Sequence, residues 1–460
     1  MSILQAVYDR APEFVQDLMI TIENARSLRR RRSGRYQEWK RYFAEAEFLP
    51  REKLLFLQQK RLTEYLSFVV AHSKWHRERL RDIDVETITV DTISRLPTMT
   101  KEDLRGNVSE IATLSPRQAY IAKTGGTTGA SIELYYRWDD FQERTAITDV
   151  FRERFIPISK SRIAWFSGKS IIPHPERATR FSRDNWINGI RYYSTFNIHP
   201  GTIAYYIDDL NTFNPDAIVT FPSSLVELAR CARLAGLSFT GNVKAIFPTS
   251  EALTPADREV LQDFFACAVY DQYASSEGSP FITECPSGRL HCEMLTGIFE
   301  VLDPAGRPAM EGDLVVTPFG TRGTPLVRYQ IEDRVTLSAQ HCPCGRNTQV
   351  VERIDGRKTE FVFSPERGKV NLVNIANSVK GAHGIRKFQI VQTEPSGIDL
   401  LMAVDRSQYT SEDEAVFIGN LRDRFGPSFG IQVHYVDNIP RDPSGKHRIV
   451  LNHLSIEQMA

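Results

Sequence analysis

Between residues 14 and 80 apolar positions recur three and four apart with polar residues between them, as in "EFVQDLMITIENARSL" and "EKLLFLQQKRLTEYLSFVVAHS". That period predicts a helical N-terminal region. From about residue 105 to 335 the pattern changes. Short apolar runs, "RIAWFSG", "AIVTF", "KAIFPTS" and "ACAVYDQYASS", each end in small or polar residues, with helical patterns such as "SSLVELARCARLAG" and "TPADREVLQDFF" between them. Strand alternating with helix predicts βαβ units and a mainly parallel sheet, whose ligands gather at the carboxyl ends of the strands. "GIFEVLDPAGRPAMEGDLVVTP" reads as strand, turn, strand, an antiparallel piece. The pattern resets near residue 355. "KFQIVQTEPSGIDLLMAVD", "SEDEAVFIGNLRDRFG" and "IQVHYVDNIP" then make a compact α+β unit of ordinary domain size. The expected architecture is α/β: a large domain over 1–355, helical over 1–100, and a small lid over 356–460.

Length agrees, because 460 residues exceed the roughly 250–300 at which one core stops growing. The 57 basic and 57 acidic side chains cancel, which gives no support for bulk nucleic-acid binding. No run approaches the roughly 20 apolar residues of a membrane helix, and the N-terminus turns charged too early for a signal peptide, so a cytoplasmic enzyme is expected. The basic run "RSLRRRRSGR" reads as a solvated linker or helix end, the alternative being a polyanionic partner or acidic membrane surface.

"AKTGGTTGASIELYY" holds Thr124, Gly125, Gly126, Thr127, Thr128 and Gly129 before a strand-like run. Glycines let a backbone approach phosphates and the threonines add hydroxyl donors. No lysine follows, so the segment is not the phosphate loop of a P-loop kinase. Downstream, "YDQYASSEGSP" carries Tyr273 and Glu277, "RYQIEDRV" Asp333, "ERIDGRKTE" Arg357 and "PRDPSGKHR" Lys446. In order and spacing these segments resemble the core motifs of the ANL superfamily of adenylate-forming enzymes, nearest to its phenylacetate–CoA ligase and CapK-like branch. The resemblance runs through "AWFSGKSI", "FPSSLVELA" and "PTSEALT" to Lys446.

The resemblance implies ATP-dependent activation of a carboxylic acid to an acyl-adenylate, with transfer to coenzyme A or, as in CapK-like proteins, to an amine. The Gly/Thr loop would grip the β- and γ-phosphates. Ser250, Glu251, Asp271, Gln272, Tyr273, Ala274 and Ser275 would line the nucleotide, with Tyr273 against adenine. Glu277 would hold Mg²⁺, a hard cation that prefers carboxylate and phosphate oxygens. Asp333 would accept from the ribose hydroxyls, and Arg357 would contact ribose or phosphate. Lys446 would place a cation where carboxylate and α-phosphate, two anions, must meet. The acid's pocket would draw on Tyr136, Trp138, Phe141, Phe221, Ser223 and Phe247. A hinge for lid motion would fall near Lys358 to Glu360, with Thr359 where many relatives carry an acidic residue or lysine. Relatives of this branch are often homodimers. A non-catalytic nucleotide-binding protein is the remaining alternative, and the presence of Lys446 and Glu277 argues against it.

The cysteines add a metal. "ECPSGRLHCE" and "AQHCPCGRN" offer Cys285, His291, Cys292, His341, Cys342 and Cys344, in a chain with no expected secretion signal. Cys285, His291, Cys342 and Cys344 form the expected set for a structural Zn²⁺, because Cys292 follows His291 in an apparent strand and points to the other face. Cys231 and Cys267 read as core.

Overall fold

A computed structural model describes the chain except for residues 1–2, 124–132, 170, 279–280, 358–360, 373–374, 376, 380, 443–445, 455–457 and 459–460. For a few further residues, Lys123 and Arg357 among them, only the backbone is described. The Gly/Thr loop and the expected hinge therefore lie outside the described residues. The chain forms two compact units: residues 1–23, 159–269 and 355–460, and residues 24–158 and 270–354.

The first unit contains a six-stranded sheet in the order 182–185, 190–194, 163–167, 217–220, 245–248, 268–269. All pairings from 190–194 onward are parallel, and Ser182–Asn185 adds an antiparallel edge. Strands Ala217–Thr220 and Ala245–Pro248 are buried at every position, as expected where helices cover both faces. Helices Ile203–Phe213, Pro222–Leu234 and Pro255–Phe265 pack on it through Leu210, Leu225, Leu228 and Leu261. Each connection is the strand–helix–strand unit expected from the periodicity.

In the same unit, residues 385–452 build a four-stranded sheet in the order 430–435, 397–404, 385–394, 450–452. Helix Ser411–Phe425 buries Phe417, Leu421 and Phe425 in its own core with Phe388, Ile390 and Leu400. Thr410 and Asp413 form a capping box that starts this helix.

The second unit contains a seven-stranded sheet in the order 297–302, 311–318, 329–338, 350–357, 290–292, 282–284, 272–273. Gly297–Leu302 and Glu311–Pro318 pair antiparallel, as their strand–turn–strand reading requires. Helices Glu13–Arg31, Tyr36–Ala46 and Arg51–His72 account for the N-terminal periodicity. The run "ACAVYDQYASS" is two strands. Ala268–Val269 belongs to the parallel sheet and Gln272–Tyr273 to the antiparallel one. Asp271 marks the change, its N–H donating to the Glu284 carboxylate and its carbonyl accepting from Glu284 N–H. Among the described residues no helix is long and apolar enough to cross a membrane.

Candidate functional site

In the first unit the polar residues ending two neighbouring parallel strands are tied together. After Ala217–Thr220 the chain turns at Phe221 into helix Pro222–Leu234, leaving the Ser223 N–H in the first turn without an intrahelical acceptor. The Glu251 carboxylate, three residues beyond strand Ala245–Pro248, accepts from that N–H at 3.0 Å and from Ser223 Oγ at 3.1 Å. Burial pushes the Glu251 carboxyl above its usual range, with Arg441, Ser223 and Lys446 pulling the other way. Ser250, between strand and carboxylate, has φ +66°. A left-handed serine costs roughly 1–2 kcal/mol and persists only where its surroundings over-determine it.

The segment carrying Lys446 docks on this carboxylate: His447 N–H donates to Glu251 Oε1 at 3.3 Å. Asp442 closes the loop, with its N–H on the Lys446 carbonyl at 2.9 Å and its Oδ1 accepting from Lys446 N–H at 3.1 Å. Arg441 donates to Glu227 Oε2 at 2.7 Å and to Ser223 Oγ at 3.1 Å. His447 Nε2 donates to the Phe388 carbonyl at 2.9 Å, and burial lowers the imidazole pKa to about 3. Lys446, half-buried, is thus held beside the carboxyl end of a parallel sheet, where α/β sheets bind their ligands.

In the second unit, the Tyr273 hydroxyl donates to Asp333 Oδ2, so the expected adenine and ribose contacts are neighbours. Asp333 is buried in a bulge: Val315 pairs with Gln330 and Asp313 with Arg334, so residues 331–333 oppose Leu314 alone. Glu332 has φ +67° there. A bulge redirects the following side chains, which explains how an aspartate within a strand comes to meet Tyr273. Glu277 is 7% exposed, in a turn where Gly278 N–H bonds the Ser275 carbonyl at 3.3 Å. Gly278 has φ +95°, and a Cβ there would sit 2.1 Å from Thr321 Cγ2. Arg144 Nη2 also holds the Ser275 carbonyl, at 2.8 Å, and Tyr136 hydroxyl donates to the Ser276 carbonyl. Asp271 and Gln272 are half-buried, Ala274 exposed.

The second unit also gathers the four expected metal ligands. The ligand atoms of Cys285, His291, Cys342 and Cys344 all lie within 4.8 Å of one another. Cys285 Sγ and Cys342 Sγ are 3.6 Å apart, Cys344 Sγ and His291 Nε2 3.5 Å. Tetrahedral zinc, with Zn–S about 2.3 Å and Zn–N about 2.1 Å, puts such pairs about 3.6–3.8 Å apart, so this donor set fits it. Two tight turns make the approach: Cys285 N–H bonds the Arg289 carbonyl around Gly288, and Gly345 follows the Cys342–Cys344 knuckle at φ +86°. Thr348 Oγ1 accepts from His291 Nδ1 at 3.0 Å, leaving the Nε2 lone pair for a metal. Cys292 packs with Leu134, Ile282 and Val351 on the other face.

The wall candidates divide. Phe247 and Tyr136 are 0% and 2% exposed, and burial pushes the Tyr136 hydroxyl up to about 12. Trp138, with Arg30, Arg117 and Gln118, lines a cleft of about 480 Å³. Phe141 lies under Arg31, and the guanidinium of Arg30 stands 5.3 Å from the Trp138 ring. Arg32 pairs with Asp149 at 2.9 Å, and Arg35 with Glu38 at 2.6 Å. Most of the basic run is therefore engaged within its own unit, which favours the linker and helix-end reading. Sequence reasoning missed Arg441, Glu227, Lys387, Asp442 and Thr348. One signal was available, Glu227 as a carboxylate within the apolar helix pattern "SSLVELARCARLAG".

Known proteins bear on the same motifs. The CapK C-terminal domain family matches residues 362–453. Protein CapK of Staphylococcus aureus is 29% identical over 455 residues, 98% of this chain and 100% of that protein. Phenylacetate-coenzyme A ligase of Thermus thermophilus is 26% identical over 340 residues, 70% of this chain and 74% of that protein. The fold matches a crystal structure of 2-hydroxyisobutyryl-CoA ligase in the postadenylation state with TM-score 0.71 and 18% identity, over 90% of this chain and 92% of the other. A lysine loop on a small α+β sheet and a parallel sheet ending in its acceptor carboxylate accord with these likenesses: the chain is similar to the CapK-like and phenylacetate–CoA ligase proteins of the ANL adenylate-forming superfamily, and shares the fold of a CoA ligase.

Proposed function

We propose that this protein is an AMP-forming ligase that activates a carboxylic acid with ATP, releases pyrophosphate and passes the acyl group to the thiol of coenzyme A. The observation that carries the reading is the anchored Lys446 loop, closed by Asp442 and docked through His447 on Glu251 at the strand ends. The acid's carboxylate attacks the α-phosphate, and charge moves to the departing pyrophosphate. Lys446 places its ammonium at that contact, where a preorganised cation lowers the barrier. Tyr273 offers adenine a ring face, and Asp333 accepts from the ribose hydroxyls. Glu277 would hold Mg²⁺, which supplies charge neutralisation on the phosphates. Cys285, His291, Cys342 and Cys344 would hold Zn²⁺ in a structural role, since four protein ligands leave no open position. The relatives support the thiol acceptor: one is a phenylacetate-coenzyme A ligase, and a solved fold relative carries 2-HIB-AMP with CoA.

A second reading, transfer to an amine such as an amino sugar or amino acid, is favoured by the wider match to Protein CapK, 98% of the chain against 70%. Acid-dependent ATP–pyrophosphate exchange over a panel of acids tests the first half-reaction. Nucleotide binding with no exchange for any acid would overturn it. The acid that supports exchange is then offered with coenzyme A and with amino sugars, and thioester or amide product names the acceptor.

A further inference from the structure

We infer that Glu227 is a positioning residue whose buried carboxylate clamps the Lys446 loop by binding Lys387 with one oxygen and Arg441 with the other. The inference rests on the adenylation reading for the consequence, and on geometry alone for the clamp. Glu227 Oε1 is 2.7 Å from Lys387 Nζ, and Oε2 is 2.7 Å from Arg441 Nη2. The side chains are 6%, 8% and 3% exposed, so little water competes for them. Both cations are fastened to the segment that leads to the catalytic lysine. Lys387 Nζ also reaches the Ile439 carbonyl and Asn438 Oδ1, each at 3.4 Å. Arg441 directly precedes Asp442, which closes the loop on Lys446, and its second amino group binds Ser223 Oγ, itself on Glu251. A single carboxylate on helix Pro222–Leu234 thereby sets where the loop begins, and Glu251 sets where it ends.

Why the contact is ionic follows from the chemistry. A buried ion triad adds little net stability compared with an apolar plug of the same volume, because desolvation offsets the attraction. What it adds is a fixed geometry that can be released, since separated charges rehydrate whereas a separated apolar plug would stay exposed to water. Burial draws the Lys387 ammonium below its usual range and Glu227 pulls it back. Removing the carboxylate would therefore leave two cations facing each other with no counter-charge. Because Glu227 acts through Arg441 and Lys387, its loss should slow the chemical step and leave nucleotide affinity alone.

Glu227→Gln, Arg441→Lys and Lys387→Met, each in the full chain, test this by two independent readouts. In hydrogen exchange, the amides of Asp442, Lys446 and His447 are expected to exchange at least about 10-fold faster in Glu227→Gln, with strands 163–167 and 217–220 unchanged. In acid-dependent pyrophosphate exchange, kcat is expected to fall about 10-fold or more with the ATP KM within about 2-fold, and Arg441→Lys to fall in between. Wild-type exchange at those three amides in Glu227→Gln, faster exchange throughout the protein, or a raised ATP KM with unchanged kcat would each overturn the clamp. Should Glu227→Gln not fold, Lys387→Met must show the same local loss of protection, and its absence there is equally decisive. If the wild-type protein exchanges pyrophosphate with no acid, the adenylation reading fails while hydrogen exchange still decides the clamp.

Discussion

The Lys446 loop and the Cys285, His291, Cys342 and Cys344 cluster both gather residues from distant parts of the chain, but the forces that hold them differ. The loop is held by charge pairs and backbone hydrogen bonds, Arg441 on Glu227, His447 on Glu251 and Asp442 on Lys446. Each is a hydrogen bond to a carboxylate, netting about 1.5–3 kcal/mol, and can be replaced by water only where the groups become exposed. The cluster offers three sulfurs and an imidazole within 4.8 Å, with tight turns on both sides, and such a set is satisfied best by one metal ion that does not let go. A region held by charged hydrogen bonds and a region whose donors suit one bound ion are thus built from different chemistry.

The largest effect should come from breaking the Cys/His cluster. Cys342→Ser is expected to abolish a metal stoichiometry of about one Zn²⁺ per chain and to cost on the order of 4 kcal/mol of stability. Elemental analysis and thermal unfolding check it; full stability with no metal bound would remove the metal from the comparison. Next, Lys446→Ala should lower acid-dependent pyrophosphate exchange by roughly 10²–10³, about 3–4 kcal/mol of transition-state stabilisation, with Tm and ATP binding little changed. Exchange at the wild-type rate would take Lys446 out of the chemistry.

The third prediction concerns pH. His447 has its pKa lowered by burial to about 3, so between that pH and about 6.5 the unfolded chain binds the extra proton and the folded chain does not. Its contribution is present above pH 6.5 and is lost as pH falls towards 3. His447→Gln should flatten the stability–pH curve across that window by up to one proton, about 1.4 kcal/mol per pH unit, and an unchanged slope would refute it. The smallest effect sharpens the metal assignment. Cys292→Ala, whose side chain packs on the opposite face, should leave zinc content unchanged and cost about 1 kcal/mol.

Much of this was legible in one dimension. The period of apolar residues is set by local backbone geometry, 3.6 for a helix and 2 for a strand, so the helical N-terminal region, the parallel strand–helix alternation and the C-terminal α+β unit could be read from it. Local signals failed where partners decide. "ACAVYDQYASS" has one apolar rhythm but joins two sheets, because Glu284 takes both backbone groups of Asp271. Nothing near Asp333 announces its bulge, which exists only relative to Leu314 on the neighbouring strand.

By itself the sequence determined which chemical groups the protein has and which ligands they suit: a lysine in "PRDPSGKHR", carboxylates at 277 and 333, and four soft metal ligands with Cys292 on the wrong face. Tertiary structure alone decided how those groups are held. Glu227 and Arg441 are 214 positions apart, and no periodic pattern couples residues at that distance. Whether a charge in an apolar helix is an error or a clamp depends on what is buried against it, because the free energy of a buried charge is set by its partners and not by its neighbours in the chain.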